Sequence, residues 1–277
     1  MLAVLGAGGA SAEPAQTLST QFKHGLIFVD GEVNGARGVF LLDTGANKTV
    51  FSRAFADRAF VRLGRARDIT GRGGEVGARQ GGPVTLSLAG GPRDRVEPVV
   101  FDLSQPSRAM GVPLDGILGA DFLGGFVVTL DYRDQRVSLA RETDDPPDAL
   151  PLIVRSAPYV EARVSLGDRA ARGLFEIDTG SNTAVEFWRP FARATFGNVP
   201  TTTSAAGLGV AGVSVVENGH IDALEVAGRR IASPLVNFAD ETPPSDPVPR
   251  YGGVIGGPAW DGLVVTLDLP RRLIWLR

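Results

Sequence analysis

The sequence predicts an all-β protein built as two homologous, β-barrel-like lobes with a candidate site between them. Three observations predict it. Asp-Thr-Gly occurs twice, at Asp43-Thr44-Gly45 and Asp178-Thr179-Gly180, and the flanking segments Arg37 to Asn47 and Arg172 to Asn182 are one segment written twice. Gly116-Ile117-Leu118-Gly119 is answered by Gly253-Val254-Ile255-Gly256, and Val127 to Asp131 by Val264 to Asp268, in nearly constant register. Many short Val, Leu and Ile runs are separated by Gly and Pro, 36 and 19 of them in 277 residues, a strand-and-turn composition without long helical periodicity. A tandem duplication accounts for all three.

From Gly25 to Leu42, two strand-like runs flank Asn34-Gly35, a pair that tolerates the positive φ of a type I′ turn. The hairpin delivers Asp43 at its end. Tyr159 to Leu166 and Gly173 to Ile177 play the same parts around Gly167-Asp168 in the second half. Gly45 and Gly180 let the chain turn after each Asp-Thr without a Cβ clash. Next come Gly-rich segments, Gly71 to Gly77 and Ala205 to Gly212, read either as surface turns or as mobile flaps with Gly73, Gly74, Gly207 and Gly209 near their tips. Gly207 to Gly212 also fits Gly-x-Gly-x-x-Gly, but no helix pattern follows, so a dinucleotide loop is rejected. Each half closes with two strands around a tight turn, Phe126 to Leu139 and Leu263 to Leu276.

The expected organisation is a signal-like or flexible segment over 1–17, an N-terminal lobe over 18–140, a linker over 141–151 and a C-terminal lobe over 152–277. The linker assignment rests on Asp144-Asp145-Pro146-Pro147-Asp148, which resists regular structure. A second acidic, Pro-rich stretch, Asp240 to Pro249, reads as an exposed loop. Met1 to Ala12 is apolar and ends in Ala-Ser-Ala, which resembles a signal-peptidase site, although a basic n-region is missing; export to the periplasm or outside is the expectation, with a simple flexible tail as the other reading.

A net charge of −3 with scattered basic residues argues against a nucleic-acid partner. Without Cys there is no disulfide, thiol nucleophile or thiolate metal site, and His24 and His220 alone cannot build a multi-histidine metal centre. No cofactor or metal is expected. No apolar run approaches the length of a spanning helix.

Two Asp residues held close enough to share one proton can hydrolyse an amide through a bound water. The ionised carboxylate takes the water's proton, and the neutral one donates to the scissile carbonyl oxygen. A single Asp-Thr-Gly is also compatible with an ordinary turn in which Asp caps its own backbone, but two in matched frames suggest one shared site. Thr44 and Thr179 carry hydroxyls that can bond backbone and stiffen each loop.

These residues resemble the pepsin-like and retroviral aspartic proteases. The resemblance rests on Leu41 to Ala46, Glu176 to Ser181, the apolar-apolar-Gly elements at Gly119 and Gly256, and the Gly-rich segments between them. The compact halves and Ile117 to Leu123 look most like the bacterial retropepsin-like branch. The resemblance implies a bilobal acid-protease fold with Asp43 and Asp178 as catalytic residues, supported by Thr44, Gly45, Thr179 and Gly180. It implies an aspartic endopeptidase acting, as a monomer, on an extended peptide or unfolded protein. The alternative is a peptide-binding or regulatory module that keeps the fold without effective turnover. Two departures stand out: Asp121-Phe122-Leu123 becomes Pro258-Ala259-Trp260 in the second half, and the flap Tyr of pepsins is missing near Gly71 to Gly77.

Overall fold

The computed structural model describes residues 14–71, 74–144, 146–197, 201–209, 212–239 and 251–277. The signal-like stretch Met1 to Ala12, the flap residue Gly73 and the acidic stretch Asp240 to Pro249 lie outside them. The two halves are similar β lobes. In the first, the sheet runs from edge to edge Leu63–Gly71, Gly74–Gly81, Val99–Phe101, Val50–Ser52, Gly116–Leu118, Ala36–Leu42, Leu26–Val33, Val84–Leu88 and Arg93–Val96. In the second, it runs Thr201–Gly209, Gly212–His220, Leu235–Ala239, Val185–Trp188, Tyr251–Gly256, Arg169–Asp178, Pro158–Leu166, Ala223–Val226 and Arg229–Ala232. The strand order is the same in both.

The lead hairpin forms around Asn34 (φ 50°) and Gly35 (φ 81°), both left-handed, so the turn twists with its strands. Its second strand lies parallel to Gly116–Leu118, with Ile117 opposite Leu41, and the Asp43 N–H continues the ladder onto Leu118 O at 3.1 Å. Inserting Gly116–Leu118 between Ala36–Leu42 and Val50–Ser52 brings the apolar-apolar-Gly element behind the Asp-Thr-Gly loop. Glycine follows there because the loop crosses it: a Cβ on Gly119 would sit 2.6 Å from Lys48 O and 2.8 Å from Ala46 O. Gly256 is crowded in the same way by Ser181 O and Thr183 O.

Below each sheet a short helix, Arg53–Arg58 or Arg189–Phe196, packs one aromatic ring against two from the strands. Phe40, Phe51 and Phe55 meet at 5.1 to 5.7 Å, and Phe175, Phe187 and Phe191 at 5.8 to 6.1 Å. All six are essentially buried, each contributing the large apolar area that aromatic rings bring to a core. The first helix starts at Ser52, whose Oγ accepts the Phe55 N–H at 3.0 Å.

A third sheet joins the lobes. Val127–Asp131 pairs antiparallel with Val264–Asp268, placing Thr129 opposite Thr266 with their hydroxyls 3.2 Å apart. Arg136–Ala140 and Leu273–Leu276 extend it on either side. Gln16–Thr17 and Leu150–Pro151 form its edges, so the leading segment and the linker each end in a strand. The reason is open edge backbone: each two-residue strand satisfies donors and acceptors that the closing hairpins leave bare.

The unequal Asp121 and Pro258 have a structural counterpart. Asp121 Oδ1 accepts both the N–H and the hydroxyl of Thr49, each at 2.7 Å, tying the helix Ala120–Leu123 to the chain after the first motif. In the second lobe the matched residues are Val185 and Pro258, which cannot make these bonds. Pro258 instead packs over Gly25 of the first lobe, so close that a Cβ on Gly25 would fall 2.6 Å from its ring. Asp121→Ala should lower stability by about 1–3 kcal/mol because Thr49, itself buried, loses its acceptor, whereas Asp121→Asn keeps an acceptor and costs less. Urea denaturation of the two variants measures the difference.

Candidate active site

The two Asp-Thr-Gly loops meet between the lobes. Each threonine reaches into the opposite lobe. Thr44 Oγ1 donates to Ile177 O at 2.6 Å, and Thr179 Oγ1 donates to Leu42 O at 2.7 Å. In return, the Thr44 N–H donates to Thr179 Oγ1 at 3.0 Å and the Thr179 N–H to Thr44 Oγ1 at 3.2 Å. Both threonines are buried, so these four bonds form a closed exchange away from solvent.

Asp43 Oδ1 accepts the N–H groups of Gly45 and Ala46, both at 2.9 Å, and Asp178 Oδ1 accepts that of Gly180 at 2.8 Å. Each aspartate therefore caps its own turn and also faces the other lobe. The two carboxyls are within hydrogen-bonding reach of each other. Glycine at 45 and 180 is required by that approach rather than by a left-handed turn. A Cβ on Gly45 would lie 2.8 Å from Asp178 Cγ, and one on Gly180 2.5 Å from Asp43 Cγ.

Burial holds the Asp43 carboxyl well above the ordinary carboxylate range, and the charge of Asp178 and the hydrogen bond to it push the same way. The backbone donors Ala46 and Gly45 oppose this shift without cancelling it. Asp43 is thus shifted toward its protonated form beside a second carboxyl. Burial, with a smaller contribution from the charge of Asp178, also raises the Tyr132 phenol.

The candidate flap residues Gly74, Gly207 and Gly209 lie in two long hairpins, one per lobe. Gly71 pairs with Gly74 in the first, and Gly209 with Gly212 in the second. The strand Thr201–Gly209 passes beside the first-lobe helix Ser104–Met110. A hollow of about 650 Å³ on the second lobe, lined by residues such as Leu150, Val160, Arg172 and Glu225, includes neither aspartate.

Two residues near the aspartates escaped the sequence reading. Glu176 lies two positions before Asp178 on the same face of its strand, and a Cβ on Gly45 would be 3.0 Å from Glu176 Oε1 and 2.9 Å from Asp178 Oδ1. Tyr159, its cross-strand partner, donates its hydroxyl to Glu176 Oε2 at 2.9 Å. The signal was available: Glu176 interrupts an apolar run whose first copy has Leu41 in that place.

Thr179→Val should cost roughly 1–3 kcal/mol for each buried group left without a partner, and combining it with Thr44→Val should cost less than the sum, because the two share one network. Denaturant titration of the single and double variants gives the coupling. For Asp43, a raised pKa in the folded state means that its contribution to stability is full below the ordinary carboxylate pKa and is lost as pH rises through the raised value. Asp43→Asn should therefore gain stability over the parent as pH increases from about 4 to 7, read from unfolding midpoints across that range.

A family model described as aspartyl protease matches residues 29–122. That span takes in the first Asp-Thr-Gly loop, the hairpin that follows it and the Gly116–Leu118 strand. A comparison with curated proteins gave no match. The matched span holds the loop, hairpin and inserted strand of the N-terminal lobe in that order and is similar to aspartyl proteases, and the C-terminal lobe repeats its strand order.

Proposed function

We propose that the chain is an aspartic endopeptidase whose two catalytic residues, Asp43 and Asp178, come one from each lobe. The observation that carries this reading is the approach of the two carboxyls across the lobe junction, with Asp43 favouring its protonated form. Protonated Asp43 would donate to the oxygen of the scissile carbonyl. Ionised Asp178 would take a proton from a water bound between the pair, and that water would attack the carbonyl carbon. The resulting gem-diol collapses as Asp178 passes its proton to the amide nitrogen and a gem-diol hydroxyl returns one to Asp43, breaking the C–N bond and restoring the starting pair for the next cycle. Neither a metal nor a covalent intermediate is needed. One chain supplies both aspartates, so a monomer suffices.

A substrate suited to this arrangement is an extended peptide, bound through its backbone between the two lobes and selected by alternate side chains. The aspartyl protease match supports peptide hydrolysis at the level of the family.

Asp43→Asn and Asp178→Asn should each lower cleavage of an unfolded protein by at least about 10²–10⁴-fold, the range expected for loss of a general acid or base. The parent should show a bell-shaped pH profile, with its basic limb above the ordinary carboxylate range because Asp43 must keep its proton. Undiminished cleavage by both folded variants would overturn the pair as the catalytic residues, whereas a folded parent that binds peptides without cleaving them would leave a peptide-binding module as the better description.

A further inference from the structure

One corner of the first lobe holds a residue that is unfavourable in two ways. The helix Arg53–Arg58 ends in a Schellman turn, with the Phe60 N–H on Asp57 O at 3.2 Å and the Val61 N–H on Ala56 O at 2.9 Å. Such a turn needs one left-handed residue, usually glycine. The second-lobe helix is followed by Gly197 at φ 71°. The first lobe has Phe60 at φ 52°, a conformation that a bulky residue adopts only under strain, and its ring is 85 % exposed. Neither the turn nor the core gains from an aromatic ring here.

The surroundings of Phe60 are cationic. In a chain of net charge −3, residues 53–67 hold five arginines and one aspartate, all of them exposed. Arg53 pairs with Asp57 at 3.2 Å and Arg58 with Asp115 at 2.9 Å, but the guanidinium groups of Arg62 and Arg65 have no hydrogen-bond or ion-pair partner among the described residues. The Asn34-Gly35 turn belongs to the same corner. Asn34 Nδ2 donates to Ala59 O at 2.9 Å, and Arg58 Nη2 donates at 3.1 Å to the carbonyl of Arg37, whose own side chain comes no closer than 3.9 Å to Glu32. Arginines on the edge strand Leu63–Gly71 discourage pairing with another chain, which accounts for Arg65 and Arg67 but not for the ring. Among the described residues, the other exposed large apolar side chains are Leu150 of the linker and Leu235 of the second lobe, so Phe60 projects alone.

We propose that this corner docks the first lobe on an anionic lipid bilayer, with Phe60 entering the boundary between headgroups and acyl chains and Arg62 and Arg65 on the lipid phosphates. A protein interface needs an apolar core made of several side chains. A bilayer can use one projecting ring together with a basic patch, two weak signals that add, and its phosphates match the planar guanidinium fork. The strand Ala36–Leu42 separates this corner from Asp43 by about 20 Å, so exchanges made here are remote from the aspartates. Docking of this kind is independent of what the aspartates do.

The test is co-sedimentation of the full chain with vesicles of phosphatidylcholine, alone or with one third phosphatidylglycerol, at low and at high salt. The parent should partition onto the anionic vesicles about tenfold or more over the neutral ones, and high salt should abolish the difference. Phe60→Ala, and Arg62→Gln combined with Arg65→Gln, should each lower that partition about tenfold. Phe60→Gly should lose binding by the same factor and yet unfold at a higher urea concentration than the parent, because glycine relieves the left-handed turn. Phe60→Trp should keep binding, and since Trp188, Trp260 and Trp275 are buried, brominated acyl chains should quench the added indole selectively. Equal partition onto neutral and anionic vesicles, no partition onto either, or parental binding by the Phe60→Ala or the double arginine variant overturns the proposal. Binding to a polyglutamate peptide without binding to anionic vesicles also overturns it, in favour of an acidic protein partner. A Phe60→Gly variant less stable than the parent would make the ring part of the fold and remove the reason to assign it a contact outside.

Discussion

The reciprocal hydrogen bonds of Thr44 and Thr179 are the constraint on which the site depends. Two ionised carboxyls about 4 Å apart repel by roughly 4 kcal/mol at an effective dielectric constant near 20. Four buried hydrogen bonds worth about 1 kcal/mol each are of the same order, and they span the junction at the point where the repulsion would open it. A shared proton removes most of the remaining penalty, which is the state that the raised pKa of Asp43 describes. Holding the lobes together and setting the protonation of the pair are thus one physical problem.

The sheet formed by Val127–Asp131 and Val264–Asp268 solves the same problem at longer range. Its register places Thr129 against Thr266, so the approximate twofold relation between the lobes passes through the centre of the sheet. The turns that follow are fixed by Asp131, which accepts the N–H groups of Arg133 and Asp134, and by Asp268, which accepts that of Arg271. These aspartates cap their own turns, and Asp268 also pairs with the Arg271 guanidinium of the same turn. Asp43 and Asp178 cap theirs as well and also meet each other, because Gly45 and Gly180 leave room for the opposing carboxyl.

Local chemistry made much of this legible in the sequence. Asn34-Gly35 marked the first hairpin because only residues at ease with positive φ suit its turn, and the repeated Asp-Thr-Gly marked both loops. Less visible were relations set by tertiary packing. Val50–Ser52 and Gly116–Leu118 are three residues long and owe their place to neighbouring strands on both sides rather than to any periodic pattern. The pairing of Val127–Asp131 with its own repeat joins residues 137 positions apart, and nothing local announces it. The same holds for Gly45, where the atoms that a Cβ would strike belong to the other lobe.

The departures from symmetry are concentrated where the twofold relation is not needed. Thr49 and Asp121 brace the first loop, whereas Val185 leaves Pro258 to pack on the first lobe. The cross-strand row from Phe28 through Leu41, Ile117 and Val50 to Val99 is apolar, and its counterpart from Tyr159 through Glu176, Val254 and Glu186 to Asn237 carries two carboxylates. A site with perfect twofold symmetry would receive an extended chain equally well in either direction. Unlike walls would remove that degeneracy, because the two directions would then meet different contacts. The shared frame positions the two aspartates, and the divergence of the rows breaks the twofold equivalence around them.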